Sequence, residues 1–221
     1  MSRAMPATKE RTMRNATRSI LASVLLALAP AACNVLDRPS PNAAHFMLVV
    51  PPQPPVAGGS LGSVSVRRAA VQRPYDVRGF VYHTTDGQWR VDAYNGFLAD
   101  PSDMVTAALT SAMRASTRFA LVAQPSVSVS TDLVAESVVD EFFADFAGPG
   151  KPVARVRIRI YLLERGSLGS PRAVLEAEGV AELADGSPRA VADGMGEALA
   201  KAIGGVISRL PQGTPSPATG E

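Results

Sequence analysis

One cysteine (Cys33), two histidines (His45 and His83) and one tryptophan (Trp89) are all that 221 residues hold of these side chains. A single cysteine excludes an internal disulfide framework and a multi-cysteine zinc site. Two histidines leave little material for a histidine-based metal centre. Aromatic residues make up only 5% of the chain, so a core must be built from Val, Leu, Ala and Ile. No internal repeat or coiled-coil register is visible. What is there suits a folded protein: 46% hydrophobic and 19% charged residues exclude wholesale disorder, and the length fits one ordinary domain with tails. The formal charge of +2 does not indicate a nucleic-acid partner, because the basic excess is local. The first 32 residues hold Arg3, Lys9, Arg11, Arg14 and Arg18 against Glu10, which leaves 17 basic and 19 acidic residues beyond them, a net of −2.

Residues 1–32 carry the pattern of a secretory signal peptide. Basic residues through Arg18 precede the uncharged apolar run Ile20–Ala29, and Ala31-Ala32 supply small residues at a cleavage point. The run is shorter than the roughly 20 residues of a membrane-crossing helix. A start at Met5 or Met13 would serve the same signal, the latter more compactly. Cys33 stands where the signal ends, which resembles the lipobox of bacterial lipoproteins, whose cysteine takes a diacylglycerol and becomes the first mature residue. Pro30 replaces the usual Leu of that motif. Cys33 is therefore the expected lipidation site, against ordinary cleavage with an idle thiol. Asn34 rather than Asp after the cysteine resembles the outer-membrane sorting pattern. Residues 33–44 are then anchor and tether, 45–210 the domain, and 211–221 a disordered Pro/Gly/Thr tail.

Along the domain, His45–Val50 and Leu61–Val71 read as strands, separated by the proline cluster Pro51–Pro55. Gly79–Thr84 and Gln88–Tyr94 flank Thr85-Asp86-Gly87 and predict a hairpin. Asp100 as N-cap and Pro101 at the first position open a helix through Arg114, with Met104, Val105, Ala108, Leu109, Ala112 and Met113 as its apolar stripe. Phe119–Ala123 and Leu133–Phe146 are further strands. Val153–Leu163 alternates Val156, Ile158 and Ile160 with Arg155, Arg157 and Arg159. Ala173–Leu183 answers with Glu176, Glu178 and Glu182. A hairpin turning near Ser167-Leu168 places Arg159 opposite Glu176 and Arg157 opposite Glu178, a cross-strand ladder that also accounts for the arginines without lipid headgroups. Ser187–Leu210 closes the chain as an amphipathic helix. The order predicts a single α/β (α+β) domain, one mixed sheet with packed helices.

The sequence yields no strong catalytic, cofactor or metal signature. No G-x-S-x-G elbow precedes a helix, and His83 lies mid-strand. Asp140, Glu141 and Asp145 could act as acid and base, but ordinary ladder charges are the better explanation. Gly148-Pro-Gly150-Lys151 lacks the spacing and hydroxyl residue of a phosphate loop, and Gly194-Met-Gly196 lacks the third glycine of a dinucleotide fingerprint. Trp89 beside Arg90 could grip a base or sugar, or simply cover a core.

The stretch from Arg78 to Val122 resembles the ABC-type transport auxiliary lipoproteins, the paraquat-inducible C group and its relatives. Shared parts are Arg78 with the aromatic strand Val81-Tyr82, the hairpin, Tyr94 and Phe97, the Pro-opened helix from Pro101 to Arg114, and the strand Phe119–Val122. A long acid-bearing strand with Phe142 to Phe146, a strand pair and a closing helix follow in similar order. Phe97 stands where many relatives carry Trp, and His83 where Arg is frequent. The resemblance implies a fold similar to anticodon-binding-like or translocation-protein N-domains, and no enzymatic activity. It implies a lipid-anchored position on the periplasmic side of the bacterial envelope. Implied partners are an ABC permease and ATPase complex and a mammalian-cell-entry lipid-binding protein that move phospholipids or other hydrophobic compounds; homo-oligomerisation stays open. An outer-membrane assembly or envelope-scaffold lipoprotein is the alternative, and a hydrolase using Asp140 or Glu141 a third.

Overall fold

A computed structural model describes residues 43–166 and 170–213. The signal segment, Cys33 and the tether to Asn42, the turn at Ser167-Leu168 and the tail from Thr214 lie outside the described residues. Among those described, nine strands form one mixed sheet and two helices cover it. Its spine is β7 (Leu133–Asp145), paired antiparallel along one edge with β8 (Val153–Glu164), which pairs antiparallel with β9 (Ala173–Glu182). The other edge of β7 takes three strands in succession, all parallel to it: β2 (Ser63–Val66), β3 (Ala70–Val71) and β4 (Gly79–His83). The sheet forks there. One branch runs from β2 to β6 (Leu121–Ala123), the other from β4 to β5 (Trp89–Phe97) and on to β1 (Ala44–Phe46). The α+β class and the single mixed sheet follow the sequence expectation.

Helices α1 (Pro101–Ala115) and α2 (Pro188–Ile207) share one hydrophobic core with one face of the sheet. The alternation of β8 turns Val156, Ile158, Ile160 and Leu162 fully inward, where they meet the Val191, Met195, Leu199 and Ile203 stripe of α2. Pro188 stands at the first position of α2, and the Ser187 hydroxyl accepts from the Ala190 N–H at 3.2 Å. Two glycines allow the helix its close approach. A Cβ on Gly179 of β9 would lie 1.9 Å from the Ala198 carbonyl oxygen, and one on Gly196 would lie 2.0 Å from that of Val49.

Several elements depart from the expected bounds: β5 runs on to Phe97 rather than Tyr94, and α2 ends at Ile207 rather than Leu210. Residues 45–50 do not form a strand throughout: β1 opens at Ala44 and ends at Phe46, and the chain then passes α2 on its way to the prolines. The span 61–71 is two strands, broken where the Ala69 N–H leaves the ladder for the Thr106 hydroxyl at 2.8 Å. The strand expected from Phe119 begins only at Leu121, because Arg118 is drawn into the interior just before it. Asp100 stands at the N-cap of α1, where its backbone carbonyl accepts from the Met104 N–H at 3.1 Å, but its carboxylate caps no helix N–H and holds Arg78 at 2.7 Å and Arg68 at 3.6 Å instead. Of the tail expected to be disordered, Pro211 is engaged, its carbonyl accepting from Arg118 Nη2 at 2.6 Å.

Candidate functional site

Both helices sit on one side, so the opposite face of β4, β5, β7, β8 and β9 is the sheet's exposed surface. One half of it is charged. Arg157 stands opposite Glu178 and Arg159 opposite Glu176, in the expected register. The ion pairs, however, reach across three strands. Arg155 bridges Glu178 at 3.2 Å and Asp145 at 3.1 Å, and Arg157 bridges Glu141 at 3.2 Å and Glu178 at 3.5 Å. Arg159 forms a two-pronged contact with Asp140, at 2.6 and 2.5 Å, rather than with Glu176. A register shift in β7 between Val139 and Glu141 produces this choice, since Asp140 is the residue the shift leaves over. Asp140 raises the pKa of Arg159, which stays charged. Burial works to raise the Asp145 carboxyl, but the Ala147 N–H, Arg155 and His83 outweigh it and hold it below the usual carboxylate range.

The other half is aromatic. Trp89 stacks on the His83 ring, with centroids 4.7 Å apart at 17°, and meets Phe143 edge-on at 4.8 Å. Tyr75, from the loop before β4, lies flat against Phe143 at 5.8 Å. His83 Nδ1 is 3.1 Å from Asp145, so a histidine–carboxylate pair joins the aromatic half to the ladder. The ring is wedged between Trp89 and the edge of Phe143, which suits a packing role better than proton transfer. Further along β5, the Asp92 carboxylate gathers the Tyr94 N–H, the Asn95 N–H and the Asn95 side chain, and accepts from the Tyr82 hydroxyl at 3.0 Å. This knot folds a wide bulge, in which Val91 to Gly96 of β5 spans only Val81 to Gly79 of β4. Trp89, Val91 and Tyr94 are left about half exposed, at 49%, 51% and 49%.

The remaining expected residues do not assemble a catalytic site. Cys33 lies outside the described residues. His45 is exposed on β1. Asp140 and Glu141 are each held by a different arginine and are not opposed as acid and base. Arg90 holds Asp86 at 3.0 Å, so it forms no clamp with Trp89. Lys151, in the β7–β8 loop, pairs with Glu182 at 3.2 Å, and Gly194 and Gly196 serve helix packing. Among the described residues no three His, Cys, Asp or Glu side chains converge as metal ligands, and no helix is long and apolar enough to cross a membrane. An open depression of about 430 Å³ is rimmed by Asp132, Glu164, Arg165 and Arg172 at the start of β7. Sequence reasoning missed Tyr75 and the buried Arg118. The Phe142-Phe143 pair was a usable signal for the aromatic cluster, since neighbouring strand residues face opposite sides.

No family model matches the chain, and no curated protein matches it. Solved structures do. The crystal structure of protein XCC0632 from Xanthomonas campestris, described with the family model DUF330, has a TM-score of 0.66 at 21% identity, over 75% of this chain and 93% of that one. The crystal structure of an uncharacterized protein has a TM-score of 0.54 at 13% identity, over 72% and 93%. The chain thus has a fold similar to that of a DUF330 protein.

Proposed function

We propose that this protein is a non-catalytic auxiliary component of an ABC-type transport system of the mammalian-cell-entry kind, which moves phospholipids or other hydrophobic compounds. In this reading a lipid on Cys33 anchors it to the periplasmic side of the envelope, at the outer membrane. The domain then docks on periplasmic parts of the transporter. Restriction to a membrane surface raises the effective concentration of the domain near its partner. The observation that carries the reading is the helix-free sheet face, where a ladder of arginines and acids runs across β7, β8 and β9: charges held in fixed orientation suit protein docking. The fold shared with a DUF330 protein is compatible with this role. The hydrolase reading is disfavoured, because its acids are committed to ion pairs with Arg159 and Arg157.

Affinity purification from crosslinked, detergent-solubilised membranes tests the proposal, with a Cys33→Ala sample in parallel. Recovery of a mammalian-cell-entry protein with its permease, reduced in the mutant, is the expected outcome. Recovery of assembly or cell-wall proteins with no transporter subunit would overturn it in favour of an envelope scaffold.

A further inference from the structure

We infer that the outer part of the β4–β5 hairpin is a membrane-contact element, in which Trp89, Val91 and Tyr94 meet the headgroup level of the bilayer that holds the Cys33 lipid. The inference rests on the anchoring of Cys33 proposed above and adds to it a surface and an orientation. Trp89 and Val91 lie two residues apart on one face of β5, and the bulge knotted by Asp92 presents Tyr94 on the same strand. All three are about half exposed, although the rest of the chain buries its aromatic side chains more deeply. Trp and Tyr, with an apolar body and a polar tip, are the side chains that settle at membrane–water boundaries.

Chain connectivity selects the bilayer as the occupant of this patch. β1 runs parallel to β5 with Ala44 beside Asn95, so the chain enters β1 from the side on which β5 begins, at Trp89. Ten residues lie between Cys33 and Ala44, a reach of at most about 40 Å over the connecting steps. The hairpin from Asn95 back to Trp89 spans no more than about 20 Å of strand. A leash of this reach brings the hairpin within range of the membrane, and the patch that holds the most exposed aromatic side chains lies at the leash's point of entry. The cation within the patch is already neutralised, since Arg90 is paired with Asp86. The contact is therefore apolar, and it should be insensitive to salt and to the fraction of anionic lipid.

Trp89 is the only tryptophan in the chain, so its fluorescence reports on this site alone. The lipidated protein, purified in detergent, would be reconstituted into vesicles of phosphatidylethanolamine and phosphatidylglycerol and recovered by flotation. The expected result is a blue-shifted Trp89 emission, quenching by brominated lipid and a several-fold loss of quenching by acrylamide. A Val91→Glu/Tyr94→Glu variant should still float and keep its far-ultraviolet circular dichroism, yet return Trp89 to acrylamide. Protein that floats while Trp89 stays open to acrylamide and untouched by brominated lipid would overturn the inference and leave the anchor standing. Protein that does not float would overturn the anchor, and the inference with it. Shielding of Trp89 in detergent that grows with protein concentration would assign the patch to a second copy and also overturn the inference.

Discussion

Arg118 shows how far a single residue can depart from its type. Its side chain is 1% exposed, and its guanidinium donates to the carbonyls of Gly59 at 3.0 Å, Ala57 at 3.5 Å and Pro211 at 2.6 Å. It thereby ties the strap after the proline cluster to the chain end beyond α2, two segments with no ladder of their own. A buried charge held by carbonyl dipoles is stable only while every partner stays in place, and removing it leaves those oxygens without a donor. Arg118→Met, which keeps most of the aliphatic length, should cost about 3 kcal/mol, read as a lower midpoint in urea unfolding. Arg118→Lys should recover only part of the loss, because an ammonium cannot span the three carbonyls. A wild-type midpoint for the Met variant would show that the strap is held by something else. The contrasting residue is Ser137, whose buried hydroxyl has no partner among the described residues; the structure gives no reason for its polarity.

The decisive contact between elements is α2 against β9. Because Gly179 has no side chain, the helix backbone at Ala198 and Ala202 can rest on the strand itself. Gly179→Ala should therefore push α2 away from the sheet and cost roughly 2–3 kcal/mol in urea unfolding. Gly148→Ala, whose added carbon meets nothing within 4 Å, should change stability by less than about 0.5 kcal/mol. Equal effects at the two sites would mean that the helix can shift freely. The same helix protects the outer edge of the sheet. Lys201 Nζ donates to the Val180 carbonyl at 2.9 Å and Arg209 Nη1 to that of Glu176 at 2.6 Å, so charged side chains occupy β9 acceptors that could otherwise pair with another strand. Much at this scale was legible in the sequence. The β8–β9 register could be read because a turn near Ser167-Leu168 selects one of the alignments that bury both apolar faces and pair Arg with Glu. The ion-pair partners could not, because Asp140 of β7 joins the ladder from 19 residues away and the register shift of its strand decides which acid meets Arg159.

For the whole molecule, the ionisable groups predict a stability plateau with two falling limbs. Asp145 and Asp92 are partly buried, which would raise their carboxyls, yet hydrogen bonds from backbone N–H groups and neighbouring side chains hold both below the usual range. A depressed carboxyl stabilises the fold above its unfolded value of about 3.9 and loses that contribution as pH falls through the folded value. Tyr82 is shifted the other way: burial and its bond to Asp92 push the hydroxyl up. Its contribution is present below about pH 10 and lost as pH rises through the higher folded value. Urea midpoints should thus be flat between about pH 5 and 9, and fall below about 4 and above about 10. Asp145→Asn should flatten the acid limb, and Tyr82→Phe the alkaline one. A midpoint that rises on acidification below pH 4 would contradict the assignment.

The sequence by itself determined the periodicities: two amphipathic helices, the Asp86-Gly87 hairpin, the alternating β8 and β9, and hence an α+β domain with one apolar sheet face. These are local properties, set by the 3.6- and 2-residue repeats of side-chain direction. Only the tertiary structure decided what depends on distant segments meeting. It placed β2, β3 and β4 end to end along one strand, buried Arg118 beneath the strap, and turned the Asp100 carboxylate from the helix end to two arginines. It also gathered Tyr75, His83, Trp89 and Phe143 into one cluster, from buried Phe143 out to half-exposed Trp89. No repeat or spacing encodes such meetings, because their free energy comes from contacts between residues tens of positions apart, which form only when the chain closes on its core.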